Sequence, residues 1–168
     1  MKLLIIPIAL FGVLSLGCKS APPLTGKLLI EAAIVYSLGG PQPVAREDFL
    51  LLKKDASEIL REVGVTGDNP QNQMQNLTGS MVLVRFDKKA EERMNAVNAA
   101  IQSQVAHKVM TGFDGKAQID NLPVGSIFYV YAVTPTRGSG YCIWNLKTEI
   151  KAGDNHLILD QKNAVYIY

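Results

Sequence analysis

Two periodicities alternate along the chain. Leu28–Tyr36 is a long apolar run with β-branched and aromatic members, which predicts a strand, and Gly39-Gly40-Pro41 breaks it. Val44–Lys53 predicts a second strand, with Pro43 just ahead of it, where a missing backbone donor does little harm. The period then changes. Asp55 is a candidate N-cap with Glu58 three residues on, and Ala56, Ile59, Leu60 and Val63 share one face of a short helix that Gly64 stops. So short a helix cannot stand alone in water and must dock on a sheet. Residues 65–80 are polar and predict a surface loop, and Met81–Phe86 predicts a strand. Asp87 caps a second helix, in which Ala90, Met94, Val97 and Ile101 form one apolar stripe, read as core packing.

From Val105 onward the pattern is that of strands and turns. Val105–Thr111 is a strand, Asp114-Gly115 a tight turn, and residues 116–120 alternate with Ala117 and Ile119 inward. Leu122-Pro123-Val124-Gly125 makes a further turn. Ser126–Thr134 is apolar on both faces, which places it in the middle of a sheet covered on both sides. Tyr141–Ile150 and His156–Asp160 flank a turn at 152–155. The expected fold class is mainly β: an immunoglobulin-like or transthyretin-like sandwich of about seven to eight strands with two inserted helices. The sandwich is expected over residues 25–168, with the helical insertion at about 54–104. The C-terminal Ala164–Tyr168 is uncharged and β-prone, either a final paired strand or an edge offered to a partner.

The first residues carry a different signal. Met1-Lys2 is a short cationic start and Leu3–Leu16 is almost wholly apolar, a length that suits an export signal better than a spanning helix. The segment ends Leu14-Ser15-Leu16-Gly17-Cys18. This resembles the lipobox of bacterial lipoproteins. The resemblance implies cleavage after Gly17, removing residues 1–17, and diacylglycerol on the Cys18 thiol. Residues 18–24, with Pro22-Pro23, then form a short tether, and the membrane is the expected partner through the lipid. Lys19 stands where many Gram-negative lipoproteins retained at the inner membrane carry Asp. The resemblance therefore favours the outer membrane if the host has one.

Composition narrows the rest. Of 168 residues 48% are hydrophobic, and the formal charge is +2, which excludes a disordered chain and gives no cationic excess for nucleic acid. Two cysteines make no disulfide framework. With Cys18 acylated, Cys142 is left alone in the apolar run Tyr141-Cys142-Ile143-Trp144, where burial is expected.

Residues 109–125 read Val-Met-Thr-Gly-Phe-Asp-Gly-Lys-Ala-Gln-Ile-Asp-Asn-Leu-Pro-Val-Gly. Thr111, Asp114, Gly115, Leu122, Pro123, Gly125 and Tyr129 match the pattern of carboxypeptidase-regulatory-like domains, which the segment resembles. Leu24–Leu28 and Gly40–Val44 are similar to that family's opening strand and first turn. The resemblance implies a transthyretin-like sandwich and no active site, because the matching residues shape turns.

Chemistry-bearing patterns are sparse. His107 and His156 stand apart in sequence, no nucleophile elbow or phosphate loop is present, and no spacing suits zinc or calcium. No catalytic residue, cofactor or metal is expected. The aromatics Tyr141, Trp144, Tyr166 and Tyr168 are the remaining candidates for a binding surface, a stacking platform for a glycan; the competing reading packs Trp144 between the sheets. The expected role is a non-catalytic accessory, adhesive or assembly module of the cell envelope, with an envelope protein or a glycan as partner. A glycan-binding module is one alternative, and a hydrolase with its site in the insertion is another.

Overall fold

The computed structural model describes residues 24–35, 39–136 and 140–167. The leader, Cys18, most of the tether and Tyr168 lie outside them. The fold is mainly β, with two sheets packed face to face and helices on one outer face. In the first sheet β1 (Thr25–Val35) is central. It pairs antiparallel with β5 (Lys116–Pro123) over its first part and with β2 (Pro41–Pro43) over its last. On its other side β8 (Gly153–Leu159) runs parallel to it. The second sheet is antiparallel throughout. Its order is β4 (Val105–Met110), β3 (Asp48–Leu52), β6 (Ile127–Pro135), β7 (Tyr141–Glu149) and β9 (Tyr166–Ile167).

The two-residue period of a strand decides what each face does. Leu28, Ile30, Ala32 and Ile34 of β1 meet Phe49 and Leu51 of β3, Phe128, Val130 and Ala132 of β6, and Cys142 and Trp144 of β7 in the core between the sheets. The alternate residues of the second sheet, Leu50, Leu52, Tyr131, Ile143 and Tyr166, are buried on its other face, in a second core with the helices. The middle strand β6 is thus covered on both sides, as its doubly apolar sequence requires. Each fully buried Leu, Ile or Phe contributes about 1.5–3 kcal/mol, before the chain entropy that opposes it.

Three helices fall between β3 and β4, where the sequence predicted two. α1 (Ala56–Glu62) begins at the expected cap, with the Asp55 carboxylate accepting from the Ser57 N–H at 2.7 Å. The Asn145 side chain on β7 ties the same cap to the sheet, donating to Asp55 Oδ1 at 2.9 Å. α3 (Lys88–Gln104) starts at Asp87 and buries Ala90, Val97 and Ile101, with Met94 packed against the same core. The helix not foreseen is α2 (Pro70–Leu83), which takes most of the loop expected at 65–80, and the strand expected at 81–86 is instead the last turn of this helix and the turn that follows it. Asn69 caps it through a 2.9 Å bond from the Asn72 N–H, and Pro70 sits in its first turn, where the missing donor costs nothing. Met74 and Leu77 anchor it. Gln73, also buried, bonds the carbonyls of Ser57 and Val65, both at 2.8 Å, and so ties α2 to α1 and to the segment between them.

The register defines two poles. At the near pole Thr25 pairs with Pro123, the Val124 N–H donates to the Leu24 carbonyl at 3.2 Å, and the Gly125 N–H donates to that of Ile150 at 2.8 Å. The chain therefore enters the sandwich beside the turn from β5 to β6. β6 leads away from that turn, and nine residues of strand cover about 30 Å to the far pole, where β7 begins at Tyr141.

Candidate functional site

The predicted aromatic platform does not assemble. Trp144 is fully buried between the sheets, its ring centroid 6.0 Å from that of Phe49 and its indole N–H donating to the Asp160 carbonyl at 2.9 Å. Tyr141 and Tyr166 belong to the helix side of the second sheet, where Tyr166 pairs with Ile143 and is buried. Trp144 therefore points to the opposite face of the sheet from both tyrosines and has no surface to offer a ligand. Tyr168 falls outside the described residues, as does Cys18. The C-terminal segment closes as a paired strand, β9, at the edge of the second sheet.

Among the described residues the two histidines stand on different sheets. His107 lies half-buried at the sandwich edge, its ring 5.7 Å from Phe128 in an edge-on contact. His156 is exposed on the first sheet, level with Leu29. Among the described residues no three of His, Cys, Asp and Glu gather as metal ligands would. Turn-region polar groups are spent on backbone. The buried Thr111 hydroxyl donates to the Val44 carbonyl at 2.6 Å and accepts from the Glu47 N–H at 3.1 Å, holding the loop in which Arg46 adopts φ 58°. The Asn155 side chain accepts from the Lys151 N–H at 2.9 Å and donates to the Lys151 carbonyl at 2.9 Å, closing the turn before β8.

Cys142 is fully buried, and burial pushes its thiol from the usual 9.0 up to about 12. Burial also raises the Tyr131 hydroxyl above its ordinary range. The thiolate is the reactive form, so in the native protein Cys142 is expected to resist a disulfide-exchange reagent at pH 8 and to react fully once denatured; rapid native labelling would contradict the packing. The linkage has a definite sign. Between the ordinary thiol value and about 12 the unfolded chain releases a proton that the folded one keeps. This contribution to stability is complete below about pH 8 and is lost as pH rises. Urea midpoints are expected to fall steadily from pH 8 to 10; a flat profile would count against it.

On the outer face of the first sheet a depression of about 240 Å³ is lined by Leu29, Glu31, Lys116, His156 and Ile158. Two further surface features lie in the helical layer. The first is a pair of adjoining polar depressions between α2 and the segment before it, of about 520 and 580 Å³. Thr66, Gln75 and Asn76 line both, with Asp68 and Asn72 on one side and Ser80 and Arg93 on the other. Their polar side chains are mostly amides and hydroxyls, with one carboxylate and one guanidinium, and they present hydrogen-bond donors and acceptors rather than an acid–base pair. The second is an apolar ridge at the end of α2. Val82 and Leu83 are exposed and Phe86 is 85% exposed, beside a groove of about 400 Å³ that reaches Pro135 and Tyr141 at the far pole. Sequence reasoning missed both, because it placed a loop and a strand where α2 runs. The signal was present in Asn69-Pro70, a cap followed by a first-turn proline.

No protein-family model matches the chain, and no curated protein matches it. The carboxypeptidase-regulatory-like resemblance therefore rests on the residues of 109–125 with Tyr129, and on Leu24–Leu28 and Gly40–Val44. Among solved structures, the minor pilin of Streptococcus agalactiae is similar at 13% identity over 82% of this chain and 44% of its own, with a TM-score of 0.42. A Pseudomonas aeruginosa protein provisionally described as carbohydrate binding is similar at 10% identity over 83% of this chain and 90% of its own, with a TM-score of 0.44. The pilus backbone of Streptococcus pneumoniae is similar at 12% identity over 74% of this chain and 34% of its own, with a TM-score of 0.32. The chain spans less than half the length of either pilin.

Proposed function

We propose that the chain is a non-catalytic module of the cell envelope, anchored by lipid on Cys18 and serving as an accessory, adhesive or assembly domain of the carboxypeptidase-regulatory-like kind. The observation that carries this reading is where the polar side chains are spent. Thr111, Gln73, Asn145 and Asn155 bond backbone or cap helices. Among the described residues no three of His, Cys, Asp and Glu gather as metal ligands would, and where Glu31 and His156 line one depression on the first sheet, the carboxylate is paired with Lys116 at 3.4 Å. The leader and the Gly17-Cys18 junction supply the anchor, with the outer membrane as its destination in a Gram-negative host. One acyl chain holds weakly and two or three hold firmly, so a diacylglycerol keeps the sandwich at the bilayer.

The test is metabolic labelling with a clickable fatty-acid analogue. The native chain is expected to incorporate the label, and Cys18→Ser to lose it while its leader remains uncleaved. Labelling that survives Cys18→Ser sinks the anchor.

A glycan-binding role is the second reading, favoured by the amide-lined depressions between Thr66 and Arg93. Hydroxyl-rich ligands suit such donors and acceptors. It is tested on a glycan array, where binding that disappears in Gln75→Ala supports it, and no bound glycan rejects it. A hydrolytic site in the insertion is disfavoured, because Asp68 and Arg93 are the only charged residues lining these depressions.

A further inference from the structure

We propose that the near pole is a membrane-seated face: Leu24, Val124 and Ile127 rest in the headgroup region of the bilayer that holds the lipid on Cys18, and the Phe86 end of the molecule points away from it. This orientation rests on the lipid anchor argued above. Large apolar side chains are rarely left in water without a use when they cluster. Leu24 is 73%, Val124 38% and Ile127 46% exposed, and the bond from the Val124 N–H to the Leu24 carbonyl holds the first two together, with Ile127 three residues along the same turn.

The length of chain ahead of Leu24 selects the occupant. Cys18 precedes Leu24 by six positions. At about 3.3–3.6 Å for each residue, those positions reach at most ~22 Å, less than the length of β6. The near pole can therefore settle on the bilayer surface, whereas an upended body standing on its far pole would hold Leu24 about 30 Å above the bilayer, beyond that reach. Charge adds little attraction. Lys27 is paired with Asp154 at 3.1 Å, and Glu149, opposite Ile127 in register, offsets the exposed Lys151. The seat is apolar, and it forms on zwitterionic as well as anionic lipid, with little dependence on salt.

The experiment uses the full acylated chain reconstituted in phosphatidylcholine vesicles with brominated acyl chains, which quench a nearby fluorophore. An environment-sensitive dye is placed on Ala152→Cys at the near pole or on Phe86→Cys at the far pole; Cys142 is buried and Cys18 is blocked by its lipid. Both positions are exposed, and an unchanged intrinsic Trp144 spectrum confirms that the variants fold. Several-fold stronger quenching at 152 than at 86 is expected, and Leu24→Ser/Val124→Ser/Ile127→Ser is expected to erase the difference. Equal quenching at the two positions in the unsubstituted background, or stronger quenching at 86, overturns the orientation and leaves the anchor standing. A chain that carries no lipid overturns both.

Discussion

A Trp144→Ala variant is expected to lose about 3–5 kcal/mol of folding stability, a large part of the margin of an ordinary domain. The side chain is the largest fully buried one, it packs on Phe49, and its N–H satisfies the Asp160 carbonyl at 2.9 Å. Deletion leaves a cavity between two sheets that cannot collapse independently, because each is braced by its own strand pairing. Trp144→Phe keeps most of the volume, and its smaller expected loss, about 1–3 kcal/mol, comes from the narrower ring and the carbonyl left without its donor. Urea unfolding measures both. A Trp144→Ala chain as stable as the native one would return the side chain to the surface and reopen the glycan platform.

The second large effect separates two glycines in the turns at either end of β5. Gly115 has φ +74° and Gly125 has φ +82°, so an alanine at either is strained by about 1–2 kcal/mol. Their surroundings differ. A Cβ at Gly115 would lie 2.4 Å from the Ala32 carbonyl oxygen and 3.1 Å from the Val44 backbone nitrogen, whereas one at Gly125 would meet nothing within 4 Å. Two of the atoms in the way are backbone and the third is Pro43 Cβ at 3.0 Å, and the same spot carries the bonds from the Ala32 N–H to the Gly115 carbonyl and from the Val44 N–H to the Ala32 carbonyl, both 2.9 Å. Gly115→Ala is therefore expected to cost about 3 kcal/mol or more, and Gly125→Ala only about 1. Equal losses, measured by the same unfolding titration, would show that conformation alone decides and that β1 and the 43–44 segment do not press on this turn.

These effects also show what the amino-acid pattern carried. The competing reading that packs Trp144 between the sheets is the one the structure shows, and the doubly apolar run at 126–134 announced the layer on each side of β6. The stripe of Ala90, Val97 and Ile101 marked α3 in the same way. Beyond its Asn69-Pro70 start, α2 was obscured for a physical reason. Its buried face includes Gln73, Thr78 and Ser80 beside Met74 and Leu77, so the apolar period is diluted. Its last turn, Met81-Val82-Leu83, has the apolar and β-branched character of a strand. Tertiary docking on α3 and the sheet overrides that local preference. β2 was read as a turn because two prolines bound its three residues, and it pairs only at the edge of the first sheet. The parallel alignment of β8 with β1 depends on a connection that no periodicity reports. The same obscured helix hid the surface features, since the exposure of Phe86 follows from how α2 ends.

The account turns on the thiol at position 18, and intact mass spectrometry of the protein extracted from envelopes addresses it most directly. The predicted product lacks residues 1–17, begins at Cys18 and carries the added mass of a diacylglycerol on that residue. A product that retains the leader, or one cleaved elsewhere with Cys18 unmodified, would contradict the anchor and with it the membrane-seated orientation of the sandwich.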